Sequence, residues 1–373
     1  MSDVALITRH AIRNYGSVLQ TYASQELLRA AFDDVQTLDY RQEGIDDSAG
    51  SYRVASPGVK GAAKHLAYRA FRAHDARARG RLFESFLDQN VSMSARRFIG
   101  YPQLAAATHP SDRFYCVGSD QVWNIEYNRD NRPYYLSFAP DDAVKFSLSS
   151  SIGAPRLPRS DELLLQNSLR SFAGVSVRES DAADYLGSLG ITAQHHVDPV
   201  LALPVESWRR FAAEVEPRPG PYLLVYQLNA NPELQRASLA LGQKLGIPVV
   251  RAEYWHTFRG KGARTVLRPS VQELLGLFRD ATFVVTDSFH GTAISVLFER
   301  QFSTLLPERY GSRITSLLDH LEIPERRAST IEDALALTDL NLPVADIRTS
   351  LAADRTAVEN YLSDIASLHT SAR

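Results

Sequence analysis

At 373 residues the chain exceeds what one hydrophobic core ordinarily serves, so two domains with a cleft between them are expected. A 44% hydrophobic and 23% charged composition is that of a chain that folds throughout, and a net charge of -2 gives no whole-molecule attraction to nucleic acid. Cys116 is the only cysteine, which excludes an intrachain disulfide and a multi-cysteine metal site and fits a reducing, cytoplasmic setting.

The first ten residues lack the basic start, apolar stretch and small-residue cleavage site of an export signal. No run of about 18 apolar residues predicts a membrane span. Val4 to Thr8 reads as a buried strand, and the turn Arg13-Asn14-Tyr15-Gly16-Ser17 opens an amphipathic helix carrying Leu19, Tyr22, Ala23, Leu27 and Leu28. Val35 to Tyr40 supplies the next strand, completing a crossover that is right-handed in nearly all known folds. Residues 44–62, rich in Gly, Ser, Asp and Pro, read as a surface loop. The pattern from Ala63 to Phe86 predicts a long helix with Arg69, Arg72, Arg77, Arg79 and Arg81 among apolar residues. A solvated face is its first reading and peripheral membrane contact its second.

Further strands are predicted at Phe114 to Val117, Val144 to Leu148, Gly174 to Val177 and around His196 and Val197. A second series follows at Tyr222 to Gln227, Pro248 to Arg251, Thr282 to Thr286 and Phe302 to Leu306, alternating with helices at 232–245, 270–279 and 291–299. Such alternation is the signature of parallel-sheet α/β domains. It places an N-terminal α/β domain at 1–203, a linker at 204–221, a C-terminal α/β domain at 222–347, and a last helix within 348–373 that packs back on the first domain.

Open α/β sheets bind ligands beyond the carboxyl ends of their strands, which directs attention to three loops. In Thr286-Asp287-Ser288-Phe289-His290-Gly291-Thr292 an apolar strand turns into a helix; its N–H groups, the Thr292 hydroxyl and His290 facing the cleft would suit an anion. The competing reading is that Asp287 and Ser288 cap the helix and His290 is structural. In Val117-Gly118-Ser119-Asp120-Gln121-Val122-Trp123-Asn124 the acid and amides suit hydroxyls and the indole a sugar face, against a capped turn with Trp123 as a buried anchor. The third is the Arg13 to Ser17 turn, where Gly16 permits close approach but no dinucleotide or P-loop fingerprint is present. Arg178, Lys261, Arg264, Arg268 and Arg313 are basic candidates whose value depends on convergence. His195 and His196 precede Asp198, yet adjacent residues of a strand point to opposite faces, so a shared metal ion is not expected.

Taken in order, Asn14-Tyr15-Gly16-Ser17, the Val117 to Asn124 loop, Val177-Arg178-Glu179, Asp198-Pro199-Val200 and Thr286 to Thr292 resemble the polysaccharide pyruvyl transferase family, from about residue 10 to about residue 320. The resemblance implies a GT-B-like fold of two Rossmann-like domains facing a cleft. It implies phosphoenolpyruvate as co-substrate, no metal or other cofactor, a sugar, glycan or glycolipid acceptor, and a cyclic pyruvate ketal as product. Within it, His290 is the candidate acid or donor-phosphate contact, and Asp120 the candidate base or acceptor contact. Arg178, Ser288, Gly291, Thr292, Arg313, Lys261 and Arg264 fall on the donor side. Arg13, Asn14, Tyr15, Gln121, Trp123 and Asn124 fall on the acceptor side. The location implied is cytoplasmic, with the inner face of the membrane as an option. Relatives carry arginine two positions before the equivalent histidine, where this chain has Ser288; another cation must grip the donor, or the donor differs. A GT-B glycosyltransferase using a nucleotide sugar and a non-catalytic carbohydrate-binding protein stay open as alternatives.

Overall fold

The computed structural model describes residues 4–43, 80–107, 113–229, 231–253, 262–306 and 311–368. Two six-stranded parallel sheets dominate it. The first contains β1 (Val4–Ile7), β2 (Val35–Arg41), β3 (Met93–Ile99), β4 (Phe114–Val117), β5 (Val144–Ser147) and β6 (Phe172–Gly174) in the order β3-β2-β1-β4-β5-β6. A short parallel pair, β7 (Ser176–Val177) and β8 (Gln194–His195), continues from its carboxyl edge. The second sheet contains β9 (Leu223–Tyr226), β10 (Val249–Glu253), β11 (Ala263–Leu267), β12 (Phe283–Thr286), β13 (Gln301–Leu305) and β14 (Arg327–Ala328) in the order β11-β10-β9-β12-β13-β14. Both reproduce the doubly wound dinucleotide-binding order, and each has a switch point, between β1 and β4 and between β9 and β12, where loops diverge and leave a crevice. These four strands are buried along their whole length, because helices cover both faces of each sheet.

The halves share a hydrophobic core. Tyr15, at the start of the helix Tyr15–Arg29, meets Phe83 edge-on at 5.0 Å and Tyr226 at 6.2 Å, and its hydroxyl donates to the Pro269 carbonyl. Within 204–221 the chain forms a helix, Val205–Ala212. Its Trp208 and Phe211 stand 5.7 and 5.3 Å from Tyr22, an aromatic contact that fixes the passage between the sheets. The helix Val344–Ser367 buries Val358, Leu362 and Ile365, and its Tyr361 hydroxyl donates to the Ser147 carbonyl at 2.7 Å, returning the chain to the first sheet.

Residues 80–90 are helical with Phe83, Phe86 and Leu87 buried and Arg81 exposed; Arg69, Arg72, Arg77, Arg79 and the 44–62 loop lie outside the described residues. Among the described residues no helix is long and apolar enough to cross a membrane.

Candidate active site

The turn after β12 is built largely by its own polar residues. The Ser288 hydroxyl caps the helix Phe289–Leu297 by accepting from the Gly291 N–H at 3.2 Å, and the Ser288 N–H donates to the Thr286 hydroxyl at 3.1 Å. A side chain at 291 would collide with that hydroxyl and with the Tyr226 ring, so glycine is required. The Thr292 hydroxyl donates back to the Ser288 carbonyl at 3.0 Å and pairs with that of Thr304 at 3.0 Å, fully buried. The expectation that the Thr292 hydroxyl faces the cleft is therefore corrected: its rotamer is taken by the preceding helical turn, and the Gly291 N–H is consumed by the cap. Asp287 accepts the N–H groups of Leu228 at 2.7 Å and Asn229 at 2.9 Å, tying the loop after β9 to this turn. Burial raises its pKa even against those bonds. His290 is left to project.

It projects toward the first sheet. The ring lies against Gly16, where any β-carbon would overlap Nδ1, so the close approach expected of Gly16 is made to a protein side chain. Asn14 caps that helix, accepting from the Ser17 N–H at 2.7 Å, and Tyr15 is the buried strut between sheets. Arg13 lays its guanidinium against Gly80. A buried Tyr15 has no face for an acceptor, which corrects its placement.

After β4, Asp120 adopts a left-handed backbone (φ 71°) supported by its own carboxylate, which accepts the Gln121 N–H at 2.8 Å. Trp123 does not present a sugar platform. It is fully buried with Nε1 donating to the Tyr134 carbonyl at 3.0 Å, because its neighbours Val122, Tyr134 and Tyr135 are core residues that enclose the indole. Asn124 is likewise 1% exposed, its Oδ1 accepting from the Glu126 N–H at 2.9 Å. Gln121 is buried and meets Arg313: with its amide oxygen turned toward the guanidinium, it accepts from both terminal nitrogens at 2.9 and 3.0 Å.

Around His290 the structure gathers a buried charge cluster. Arg178, its side chain 2% exposed, donates from Nε to Glu179 at 3.0 Å and from Nη1 to Asp198 Oδ2 at 2.9 Å, and stacks on Phe289 at 4.8 Å. Among the described residues its Nη2 is buried without a hydrogen-bond partner. The Arg313 guanidinium lies 6.0 Å from the same ring. His290 Nε2, likewise buried and without a hydrogen-bond partner among the described residues, is 3.8 Å from Asp198 Oδ2. Arg178, Asp198, Phe289 and Arg313 line a crevice together with His195, Ser316 and His320.

The charges act on one another. Burial lowers the His290 pKa, and of its charged neighbours Asp198 and Asp120 oppose that while Arg178 and Arg313 add to it; the net shift is downward. Burial would raise the Asp120 pKa, yet Arg9, Arg178, His290 and Arg313 outweigh it and hold the carboxyl below its ordinary range. Burial, then Arg178, lowers that of Arg313 against Asp120 and Glu179. With His290 neutral, the cluster sets the three guanidiniums of Arg9, Arg178 and Arg313 against the three carboxylates of Asp120, Glu179 and Asp198.

Of the residues singled out from sequence, His290, Arg178, Arg313, Asp120 and Gln121 converge here. Arg264 does not. It is exposed on the edge strand β11, with β10 and β9 between it and β12, because a parallel edge strand tolerates charge. Lys261 lies outside the described residues. Sequence reasoning missed Arg9, Glu179 and Asp198 as members, and also Ser151, whose hydroxyl donates to Glu179 at 2.7 Å. The signal available was the Ser149-Ser150-Ser151 run at the end of β5 and the Asp-Pro start of the helix Pro199–Ala202, which Asp198 caps through the Val200 N–H at 2.9 Å. His195 and His196 do diverge: one contacts the Arg178 carbonyl at 3.1 Å, the other the Ser176 hydroxyl at 2.8 Å. Among the described residues no group of His, Cys, Asp and Glu is arranged to hold a metal ion.

The family described as polysaccharide pyruvyl transferase matches residues 14–306. No curated protein matches the sequence. Among solved structures the chain is similar to a putative UDP-N-acetylglucosamine 2-epimerase from Listeria monocytogenes, with TM-score 0.59 and 8% identity over 99% of this chain and 97% of that one. It is also similar to the UDP-N-acetylglucosamine 2-epimerase from Rickettsia bellii and a UDP-glucosyltransferase from Polygonum tinctorium, each with TM-score 0.52 and 10% identity over 98% of both chains. At such identity the likeness is one of fold, the GT-B arrangement of two Rossmann-like domains.

Proposed function

The chain belongs to the polysaccharide pyruvyl transferase family, and from that premise we propose that it transfers the enolpyruvyl group of phosphoenolpyruvate to a sugar of a polysaccharide or glycolipid precursor, closing a cyclic ketal on two hydroxyls. The observation that carries this reading is Arg178, a buried guanidinium with an unbonded Nη2 beside His290 and Arg313. A buried cation with an idle donor is a receptor for an anionic oxygen, and it supplies a grip that Ser288, committed to its cap, does not.

The chemistry requires a proton at the enol methylene carbon, addition of one acceptor hydroxyl to the central carbon with departure of phosphate, and closure by the second hydroxyl. One hydroxyl proton is balanced by the new methyl group and the other leaves with phosphate. In this reading Arg178 and Arg313 hold the donor's phosphate and carboxylate, His290 delivers the proton, and Asp120, kept ionised by its cationic neighbours, accepts the hydroxyl proton. Gln121 holds Arg313 through its amide oxygen. The reaction needs no cofactor, and we place it on the cytoplasmic side of the cell, where phosphoenolpyruvate is made.

The test combines the protein, phosphoenolpyruvate and a panel of hexopyranosides and reads phosphate release together with an acid-labile ketal. Turnover of at least one acceptor is expected. No turnover across the panel, with nucleotide sugars rather than phosphoenolpyruvate raising the melting temperature, would replace this reading by glycosyl transfer.

A further inference from the structure

Asp198 is fully buried and one of its oxygens serves three neighbours. Oδ2 accepts from Arg178 Nη1 at 2.9 Å and from the Ser119 hydroxyl at 3.3 Å, and stands 3.8 Å from the unbonded Nε2 of His290. Oδ1 is fixed by the Val200 N–H, so the carboxylate cannot swing away. The groups acting on His290 are Asp198, Arg178 and Asp120 from the first domain and Arg313 from the second, while the helix Tyr15–Arg29 contributes the backbone of Gly16.

We propose that Asp198 is a positioning residue shared between Arg178 and His290: when an anion takes up the Arg178 guanidinium, the same carboxylate becomes the hydrogen-bond partner of a protonated His290. This rests on the donor reading above. The carboxylates of Asp120, Glu179 and Asp198 already match the guanidiniums of Arg9, Arg178 and Arg313, so an incoming phosphate adds uncompensated negative charge, and His290 is the group able to answer it by taking a proton from water. The movement needed is small, from 3.8 Å to hydrogen-bond distance. Binding of the donor and protonation of His290 then become one event, with Asp198 drawing the new proton to Nε2.

The experiment follows His290 by nitrogen NMR of the whole protein labelled in histidine, assigned by its loss in His290→Gln, across pH, without and with inorganic phosphate. In the wild type phosphate is expected to move the His290 midpoint upward. In Asp198→Asn, which keeps an oxygen for the Val200 cap, the midpoint lies lower and the phosphate response shrinks. Unchanged midpoint and response overturn the proposal. Should that variant not fold, Ser119→Ala removes one donor from Oδ2 and leaves the carboxylate more available, so the midpoint rises; no movement there overturns it equally. Ketal formation with an Asp198-independent titration sinks this inference alone. An Asp198-dependent phosphate response without any turnover sinks the donor reading and leaves the coupling standing.

Discussion

At the carboxyl end of β12 the polar residues Ser288, Gly291 and Thr292 close their own helix turn and deliver one side chain, His290, outward. At the equivalent end of β4 the loop likewise buries Trp123 and Asn124, but it opens onto a cluster supplied from elsewhere, with Arg178 and Asp198 arriving from the ends of β7 and β8. The two switch points share a topology and divide the work. The second domain presents a titratable ring on a rigid turn together with Arg313; the first supplies Asp198, Arg178 and Asp120, the other charges that act on it. Motif residues in such loops mostly shape the backbone, as Ser288, Thr292, Trp123 and Asn124 do.

The contrast is broken most severely at Arg178. Arg178→Gln leaves Asp198 buried without its 2.9 Å partner, and a cost of about 3–5 kcal/mol in urea unfolding is expected. Arg264→Gln, on the exposed edge strand, is expected to stay within about 0.5 kcal/mol. Equal effects would mean that burial does not separate Arg178 from an exposed arginine. A second break uses pH. Burial and the neighbouring His195 push the His196 pKa down to about 4, although its ring keeps the Ser176 hydroxyl at 2.8 Å. Between the ordinary value and about 4 the unfolded chain binds the proton and the folded chain does not, so His196 favours folding fully above about 6.5 and loses that contribution as pH falls to about 4. The loss is about 3 kcal/mol, and His196→Gln should flatten that part of the stability profile in parallel denaturation series.

The central strands were legible because β1, β4, β9 and β12 are continuous apolar runs between helical patterns. Strands β3 and β11 were not, since they are edges: Ala95, Arg96, Arg97, Arg264 and Thr265 are exposed, and without alternation or an apolar run an edge strand reads as loop. His290 could be read from its place after a strand. Asp198 could not, because its meaning depends on Arg178, Ser119 and His290 meeting across some 170 residues of chain, and the motif showed only a helix start. Trp123 shows the opposite failure: an aromatic residue beside polar ones fits a sugar platform and a core anchor equally, and burial decides.

A subtler break places a methyl group between the two regions. Gly16→Ala sets a β-carbon onto the His290 ring, so either the ring or the helix start must move. Overpacking of this kind costs about 1–3 kcal/mol in stability. A displacement of the ring by about 1 Å costs on the order of a hundredfold in kcat, with the donor KM less affected because Arg178 and Arg313 keep their places. Loss of stability without loss of turnover would show that the contact holds the domains together and does not aim the histidine.

The smallest expected effect is at Ser288, and it sharpens the comparison most. If the hydroxyl serves only as the cap of the helix Phe289–Leu297, Ser288→Ala should cost about 1 kcal/mol, read as a shift of the urea midpoint, and leave the donor KM unchanged. Ser288→Gly should cost only a few tenths, since glycine is tolerated at that position of a helix. If the hydroxyl instead turns to the donor when it binds, taking part of the role that arginine fills in relatives, then Ala and Gly raise the donor KM alike while their stabilities differ. The two substitutions together separate a side chain that shapes a turn from one that also touches the substrate, which is the distinction on which the division between the two switch points stands.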